Sequence, residues 1–521
     1  MIRIVAALLG LSPVIAVAQP GIGQNGVVNA ASQIAPTLSG GAIARGALFD
    51  ISGVRLVAAG PTEVTISQQG VTIPLTIVSA QPRKIEALMP RNAPLGNASL
   101  VVTVAGRASR PFPVEIVASN PGIFSRNLEG WGAGRIENLG PNSARSSNSF
   151  DNPAHPGEQV RIATTGFGSA TRASLYVGSK MIQATPARGA RDGEEQLTVT
   201  IPADAPKGCW VPMYLLAAPN RASNVVTISI SPAGAACDSG PVPLWSNKNV
   251  MVVALSRSYQ KPDRPDAPEI LSDDAVVLIQ SNHRANELSR ADLLPPSGTC
   301  TSATSSYQSE SDLTLSLSSL VVPQGGGLDA GDQLTLERSG ETRTIGENAA
   351  GKGDYRARLG LAGMDLNRKL PPPFLLPGEF KLTAPGGPNI GPFSLNLLTP
   401  PEFQWTDRDQ INSVDRKLGV TLHWTGGDRD QKMLIALRNV DLITTAIGMC
   451  LCVAPAQAHQ FTIPAALLAN IPASIRAPGA HYDKLAIGML GVAPLKNLSA
   501  KGLDAGFLFV IYDYSRYVDF R

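Results

Sequence analysis

The residues most able to do chemistry in this sequence are one glycine-rich segment with a lysine and five scattered histidines. Residues 346–353 read Gly-Glu-Asn-Ala-Ala-Gly-Lys-Gly. This resembles a phosphate-binding loop, but Gly353 stands where a serine or threonine would hold magnesium, and no apolar strand precedes it. We predict a flexible hairpin loop there. The histidines lie in no nucleophile-elbow or zinc-protease motif; they are His155, His283, His423, His459 and His481.

No catalytic residue, cofactor site or metal site is therefore predicted, although a serine–histidine–carboxylate triad assembled by folding from distant residues remains open. Alternation with Leu422 and Trp424 predicts that His423 points outward. Several acidic residues could offer oxygens to calcium, which needs further donors and a turn glycine. We predict solvated turns for all of them: Asp329, Asp332, Glu337, Asp407, Asp409, Asp428 and Asp430.

Five cysteines follow the N-terminal region, an odd number. A disulfide between Cys209 and Cys237 could link the start and the end of one unit if the compartment is oxidising. Cys300 could pair with Cys450 or with Cys452, which leaves one thiol over. Cys450-Leu451-Cys452 is a C-x-C sequence with no second pair at ligand spacing, so a zinc site is not expected.

Aromatic platforms could hold sugars, but aromatic residues are only 5% of the chain. Trp405 and Trp424 alternate with apolar neighbours and are predicted to lie in the core. Trp131 and Trp245 lie in loop-like contexts and are the candidate ligand-contact aromatics. Packing in a core or between domains is the competing interpretation for both.

Composition narrows the class of partner. Lys plus Arg is 44 and Asp plus Glu is 41, a net charge of +3. Because a phosphate-binding surface needs clustered cations, nucleic acid is not an expected partner. The 50 glycines and 42 prolines also argue against a largely helical core.

An internal repeat organises the first half of the chain. Residues 89–96 read Met-Pro-Arg-Asn-Ala-Pro-Leu-Gly and residues 201–208 read Ile-Pro-Ala-Asp-Ala-Pro-Lys-Gly. Residues 47–53 match residues 160–166 at nearly the same offset, and each copy is followed by strand-like sequence. Three features in the same order predict a duplicated unit.

Short alternating strands, punctuated by Pro and Gly every eight to twelve residues, predict an all-β fold of tandem immunoglobulin-like β-sandwiches. A β-rich C-terminal region of one or two domains follows, with one short helix at Ala465 to Ala473. The predicted boundaries are a first sandwich at 25–119, a connector at 120–157, a second sandwich at 158–232, a linker at 233–243 and the C-terminal region at 244–521.

The N-terminus predicts export. Arg3 precedes an apolar stretch, and Ala16-Val17-Ala18 presents the small-x-small pattern that signal peptidase reads. We therefore expect a signal peptide at residues 1–18 and a periplasmic, extracellular or cell-surface location. The stretch is too short to span a bilayer, and no membrane-spanning segment is expected in the mature chain.

Four motifs carry a family resemblance: Val27-Val28-Asn29-Ala30-Ala31-Ser32, Asn120-Pro121-Gly122-Ile123-Phe124, Pro153-Ala154-His155-Pro156-Gly157-Glu158 and Thr164-Thr165-Gly166-Phe167-Gly168. In this order they resemble an uncharacterised exported bacterial family with tandem IPT/TIG-related immunoglobulin-like domains. The resemblance covers roughly residues 25–232. It implies an all-β fold and export, and it brings no functional residues.

These observations favour an exported, non-catalytic scaffold or recognition protein, adhesion-like in character, with a surface protein or polysaccharide as partner. A carbohydrate-binding accessory protein is the first alternative. A hydrolase with a site in residues 250–521 is the second.

Overall fold

The computed structural model describes residues 19–141, 144–218, 221–239, 248–262, 267–281, 294–306, 326–349, 351–363, 371–475, 483–496 and 498–521. The signal-peptide prediction, Trp245, His283 and His481 lie outside them. The regular secondary structure of the described residues is almost entirely β-strand, which confirms the all-β prediction. None of their helices is long and apolar enough to cross a membrane.

The first unit, sandwich 1, packs two sheets face to face, with orders β1-β3-β7-β6 and β2-β10-β8-β4-β5. Inward side chains of both sheets form one apolar core, as their period-two alternation predicts. Its strands are β1 (Gly21–Asn29), β2 (Ile43–Ala44), β3 (Leu48–Val54), β4 (Thr62–Gln68), β5 (Val71–Pro74), β6 (Thr76–Gln81), β7 (Lys84–Leu88), β8 (Gly96–Val104), β9 (Arg107–Ala108) and β10 (Phe112–Val117).

The second unit, sandwich 2, has sheets of order β13-β12-β14-β18-β17 and β16-β15-β19-β20 around its own core. The segment expected to be a connector contributes its first three strands. The strands are β11 (Gly122–Ile123), β12 (Ile136–Leu139), β13 (Arg145–Ser147), β14 (Gln159–Thr165), β15 (Ala173–Val177), β16 (Lys180–Ala184), β17 (Ala187–Arg188), β18 (Glu195–Thr200), β19 (Gly208–Ala218), β20 (Arg221–Ala222) and β21 (Val226–Ile230).

The repeat in the sequence is also a repeat of strand pairing. β3 pairs with β7 and β4 with β8 in sandwich 1, while β14 pairs with β18 and β15 with β19 in sandwich 2. The shared Pro/Gly motif lies just before β8 and β19. Gly96, which ends the first copy, has a φ of +105°, a conformation that favours glycine. The motif therefore turns the chain from one sheet of each sandwich into the other.

The remaining chain forms one 13-stranded sheet, the long sheet, with two small sheets beside it. Both faces of the long sheet are packed with apolar side chains, and Trp405 and Trp424 are buried as predicted. The elements are β22 (Val250–Lys261), β23 (Ile270–Ser281), β24 (Thr299–Ser306), β25 (Gly326–Gly327), β26 (Gln333–Arg338), β27 (Glu341–Glu347), β28 (Asp354–Ala362), β29 (Gly378–Ala384), β30 (Phe393–Thr399), β31 (Gln404–Trp405), β32 (Ser413–Val414), β33 (Val420–Thr425), β34 (Lys432–Asp441), β35 (Ala446–Pro455), β36 (Gln460–Ile463), α1 (Ala465–Leu468), β37 (Lys484–Pro494), β38 (Ala505–Tyr517) and β39 (Asp519–Phe520).

The three units contact one another through described residues. The Asn25 amide of sandwich 1 donates to the Thr444 carbonyl at 2.7 Å. Ile34 and Leu38 pack with Ala446 of β35. Asn470, just after α1, donates to the Ala222 carbonyl of sandwich 2 at 3.2 Å. Sandwich 1 therefore touches the C-terminal region as well as its own repeat.

Two disulfides lie in the structure. Cys209 and Cys237 are at disulfide distance, with Cα atoms 5.0 Å apart, as are Cys300 of β24 and Cys452 of β35, at 4.0 Å. Cys450 is the buried free thiol, and its sulfur lies 4.0 Å from that of Cys452. Of the two pairings that the sequence left open for Cys300, the structure has the one with Cys452, its directly opposite residue across the strand pair.

We expect Cys300→Ala to lower the free energy of unfolding by about 2–4 kcal/mol, because the lost crosslink joins residues 152 positions apart. Cys450→Ala should keep both disulfides and reduce mispaired isomers during oxidative refolding, since it removes the competing thiol. Non-reducing peptide mapping measures the pairing and denaturant unfolding the stability. Loss of the Cys300–Cys452 bond in Cys450→Ala would contradict this assignment.

Candidate functional site

Three of the four family-like motifs meet where the two sandwiches join. Asn29 of the first motif donates to the Asn120 carbonyl of the second at 3.2 Å, and its own oxygen accepts from the Ala31 amide at 2.9 Å. Thr165 of the fourth motif accepts from the Leu48 amide of sandwich 1 at 3.0 Å. These motifs are therefore the joint between the units.

Phe124 is the apolar centre of that joint. It is 1% exposed and packs with Ala30, Ala31 and Leu48. The Arg135 guanidinium stacks over its ring at 4.5 Å. Such a stack holds a cation beside an apolar interface and leaves its N–H groups free to face outward.

Ion pairs close the joint from the outside. Arg191 donates to both carboxylate oxygens of Glu86 in sandwich 1, at 2.6 and 3.0 Å. It also lies 3.2 Å from Glu194, which in turn lies 2.6 Å from Arg135. Bidentate arginine–carboxylate pairs fix orientation as well as distance. The segment between β17 and β18 is thereby held against sandwich 1.

A cleft of about 370 Å³, the junction cleft, opens on the outer face of sandwich 2 beside this joint. Its floor is the β13-β12-β14-β18 sheet, because alternation turns Glu137 and Arg161 outward while Ile136 and Ile162 enter the core. Its wall is the β17–β18 segment. The lining residues are Arg135, Glu137, Arg145, Arg161, Ala163, Gly189, Ala190, Glu194 and Gln196.

The cleft carries polar groups that the fold does not use. Arg161 approaches Glu137 only to 3.7 Å, too far for a hydrogen bond, and the Arg161 Nε is buried with no hydrogen-bond partner among described residues. Arg145 is exposed at the rim. A buried N–H without a partner costs free energy unless a ligand or water satisfies it. The cleft is therefore equipped to bind a polar ligand.

A second cleft, of about 320 Å³, lies on the other side of the same wall and shares Glu194 with the first. Arg91 of sandwich 1 and Arg188 line it, and Arg188 is paired with Asp192. At its base Glu195 accepts from the Phe167 amide at 3.0 Å, and burial raises the pKa of that carboxyl. Arginines thus lie on both sides of the wall.

Trp131, the aromatic proposed as a ligand contact, does not lie in either cleft. It is half-buried and lines a cavity of only about 30 Å³ with Thr301, Ser302 and Met449 of the long sheet. Trp131 therefore lies between sandwich 2 and the C-terminal region, and its role as a ligand contact stays a prediction. The other candidate, Trp245, lies outside the described residues.

The remaining sequence candidates contact protein groups. His423 is exposed as predicted and pairs with Asp407 at 2.7 Å, and Lys352 pairs with Asp329 and Glu347. Residues 346–353 span the end of β27 and the turn into β28, with Ala350 outside the described residues. Among described residues, the one group of three metal-type ligands is Cys300, Cys450 and Cys452, two of which form the disulfide.

A second polar cluster lies on the long sheet. Asp513 of β38 is buried and accepts from the Ser258 hydroxyl at 2.5 Å, with Lys484 of β37 nearby. Burial raises the pKa of Asp513 to about 6, a shift that Ser258 and Lys484 oppose and the Asp274 charge reinforces. Burial likewise lowers the pKa of Lys484. The cluster is a stability element that responds to pH.

At pH values between 3.8, the ordinary pKa of an aspartate, and about 6, Asp513 is protonated in the folded state but ionised in the unfolded chain. Stability therefore falls as pH rises through this window, by on the order of 3 kcal/mol. We expect the unfolding free energy of the wild type to lose about that amount between about pH 4 and pH 7 through Asp513. Asp513→Asn cannot ionise, so this contribution to the pH dependence should be missing from the variant. Denaturant unfolding measures it. An unchanged pH difference would contradict the assignment.

Comparison with known proteins adds no family. No family model matches the sequence, and no curated protein matches it either, so the IPT/TIG-related membership stays a prediction. Solved structures with partial similarity include a Bacteroides ovatus mixed-linkage glucan utilization locus protein, SGBP-B, in complex with a mixed-linkage heptasaccharide. It is 11% identical over 77% of this chain and 78% of its own, with a TM-score of 0.13.

Two further solved structures also align over most of this chain with low sequence identity and a low TM-score. SGBP-B from a complex xyloglucan utilization locus in Bacteroides uniformis is 11% identical over 73% of this chain and 97% of its own, with a TM-score of 0.20. The ectodomain of mouse nectin-like molecule 4, with three immunoglobulin domains, is 11% identical over 69% and 95%, with a TM-score of 0.15. Scores this low define no common fold, so the architecture rests on the sheets described above.

Proposed function

We propose that this chain is an exported, non-catalytic recognition protein whose ligand surface is the junction cleft. The proposal rests on one observation: the guanidinium groups of Arg135, Arg145 and Arg161 line a single cleft. That cleft lies at the joint between the sandwiches, which hydrogen bonds, ion pairs and the packing of Phe124 hold together. The cleft has the volume of sites that bind small ligands, about 300–1,000 Å³. Its lining is mostly charged and polar rather than apolar, which suits a polar ligand.

The structure around the junction cleft supports recognition because it holds the floor and the wall of the cleft in place. The floor belongs to a β-sheet and the wall is tied to sandwich 1 through Arg191 and Glu86. Ligand-contacting groups on rigid elements lose little entropy on binding, which favours affinity. The two disulfides suit an oxidising compartment and support the proposed export.

Retention of the purified mature protein on a panel of immobilised polysaccharides and surface proteins tests the proposal. We expect retention by at least one member, and its loss in Arg145→Gln/Arg161→Gln. Trp131→Ala should keep retention, because Trp131 packs between units. Retention that survives the double arginine variant but disappears in Trp131→Ala would place the ligand elsewhere and overturn the proposal.

A further inference from the structure

We propose that the ligand of the junction cleft is an acidic polysaccharide, one whose sugar units carry a carboxylate beside free hydroxyl groups. This inference rests on the proposed function and names its ligand class. It follows from the two kinds of polar group in the cleft, guanidinium donors and oxygen acceptors, and from where the sheet places them.

The guanidinium groups select a carboxylate. Arg161 is ion-paired with Glu137 at 3.7 Å but makes no hydrogen bond to it, so the N–H donors at its Nη atoms can bind a ligand carboxylate. A guanidinium matches a carboxylate in two parallel hydrogen bonds, and a partly enclosed site strengthens that pairing relative to open water. Arg145 offers a second fork at the rim.

The arginines of the two clefts are spaced along the surface in a way that suits a polymer with a carboxylate on each unit. Arg161 lies on β14 and Arg145 on β13, with β12 between them, so their backbones are about 10 Å apart across the sheet. The pairing register also offsets them by two residues, about 7 Å, along the strands. Across the wall, Arg91 and Arg188 line the second cleft. A polymer that presents a carboxylate on successive units could engage these arginines in turn, and several weak contacts along one chain add in affinity.

The acceptors select hydroxyl groups. Glu137 stands on the cleft floor next to Arg161, and Gln196 lines the same cleft from β18. A carboxylate can only accept hydrogen bonds, which sugar hydroxyls donate. The Glu137 charge repels the carboxylates of any polyanion, but only a ligand with hydroxyl groups offsets that repulsion by donating hydrogen bonds, which an acidic peptide such as poly-L-glutamate cannot do from its side chains. The combination therefore favours an acidic sugar over other anions.

Affinity electrophoresis or biolayer interferometry with polygalacturonate tests the inference, with neutral galactan and poly-L-glutamate as comparison ligands. We expect polygalacturonate to bind, and its affinity to fall with added salt. Arg161→Gln and Arg145→Gln should each weaken binding about tenfold. Arg110→Gln, an exposed arginine of sandwich 1 outside both clefts, removes the same charge and should leave binding unchanged.

Glu137→Ala separates recognition of a sugar from simple charge attraction. If Glu137 accepts hydroxyl donors, its removal weakens polygalacturonate binding although the cleft becomes more positive. If the cleft only attracts anions, the same variant strengthens the binding of both polygalacturonate and poly-L-glutamate. Circular dichroism of every variant shows that the fold is retained.

The failures are distinguishable. Absence of polygalacturonate binding, equal binding of poly-L-glutamate, or stronger polygalacturonate binding by Glu137→Ala would each overturn the acidic-sugar inference. Cleft-dependent binding of neutral galactan would also overturn it, while leaving the junction cleft as the ligand surface. The proposed function itself fails when retention on the wider panel does not depend on Arg145 and Arg161.

Discussion

Replacing Asp273 with alanine is expected to destabilise the C-terminal region by about 3–5 kcal/mol. Asp273 of β23, a strand of the long sheet, is fully buried and accepts from Arg257 at 2.8 and 2.9 Å. It also accepts from the backbone amides of Phe374 and Leu375. Its loss strands the buried Arg257 charge and two amides, and only Glu402, at 3.0 Å, still faces that guanidinium.

Asp273→Asn is the matched control, because it keeps an oxygen for the backbone amides but removes the charge. We expect the free energy of unfolding of Asp273→Asn to lie between that of the wild type and that of Asp273→Ala. Denaturant unfolding followed by tryptophan fluorescence reports on this region, since Trp405 and Trp424 are both in its core. An Asp273→Ala midpoint equal to that of the wild type would contradict the role assigned to the pair.

Replacing Phe124 with alanine is expected to cost about 3–5 kcal/mol and to loosen the joint between the sandwiches. The ring is buried between Ala30, Ala31 and Leu48, and it supports the stacked Arg135. Its removal leaves a cavity at the interface and takes away the ring on which Arg135, a lining residue of the junction cleft, stacks. Differential scanning calorimetry measures the stability loss.

Phe124→Leu keeps most of the apolar volume and should cost less than about 1.5 kcal/mol. Limited proteolysis complements calorimetry, because a loosened joint exposes the segment between β10 and β12 to cleavage. If Phe124→Ala neither lowers the unfolding temperature nor increases cleavage there, the two sandwiches are not held together in the way described.

The sandwiches were predictable because their signals are local and repeated. The alternation of Leu197, Val199 and Ile201 assigns one face to the core, and all three are buried. The Pro/Gly motif before β8 and β19 marks the same turn twice. The predicted helix from Ala465 to Ala473 begins at the expected residue but ends at Leu468. Pro472 lies inside the predicted span, and a proline disfavours helical geometry at the residue before it.

The junction cleft was not predicted, because its residues come together only through strand pairing. Arg135, Glu137 and Arg145 lie in a segment that the Asn/Ser-rich sequence marks as a connector. Strand β12, which places Glu137 beside Arg161, is only four residues long. The alternation of Arg161 with the buried Val160 and Ile162 agrees with its outward direction in the structure, but the sequence does not show which residues lie next to it across the sheet.

The long sheet was equally inaccessible, since β22 pairs in parallel with β38 from the other end of the region. Such a pairing joins residues about 255 positions apart, such as Ser258 and Asp513. Local patterns predict that both segments are strands, but they carry no information about which strands are neighbours. The question of one domain or two for this region depended on that pairing.

Hydrogen–deuterium exchange in the presence of a bound acidic polysaccharide tests the central claim most directly, because it locates the ligand without assuming which residues bind it. We predict that protection concentrates in β12, β13, β14 and the β17–β18 segment, that Arg161→Gln reduces it, and that Arg145→Gln/Arg161→Gln abolishes it. Protection around Trp131 or within the long sheet, with exchange in the junction cleft unchanged, would contradict the account.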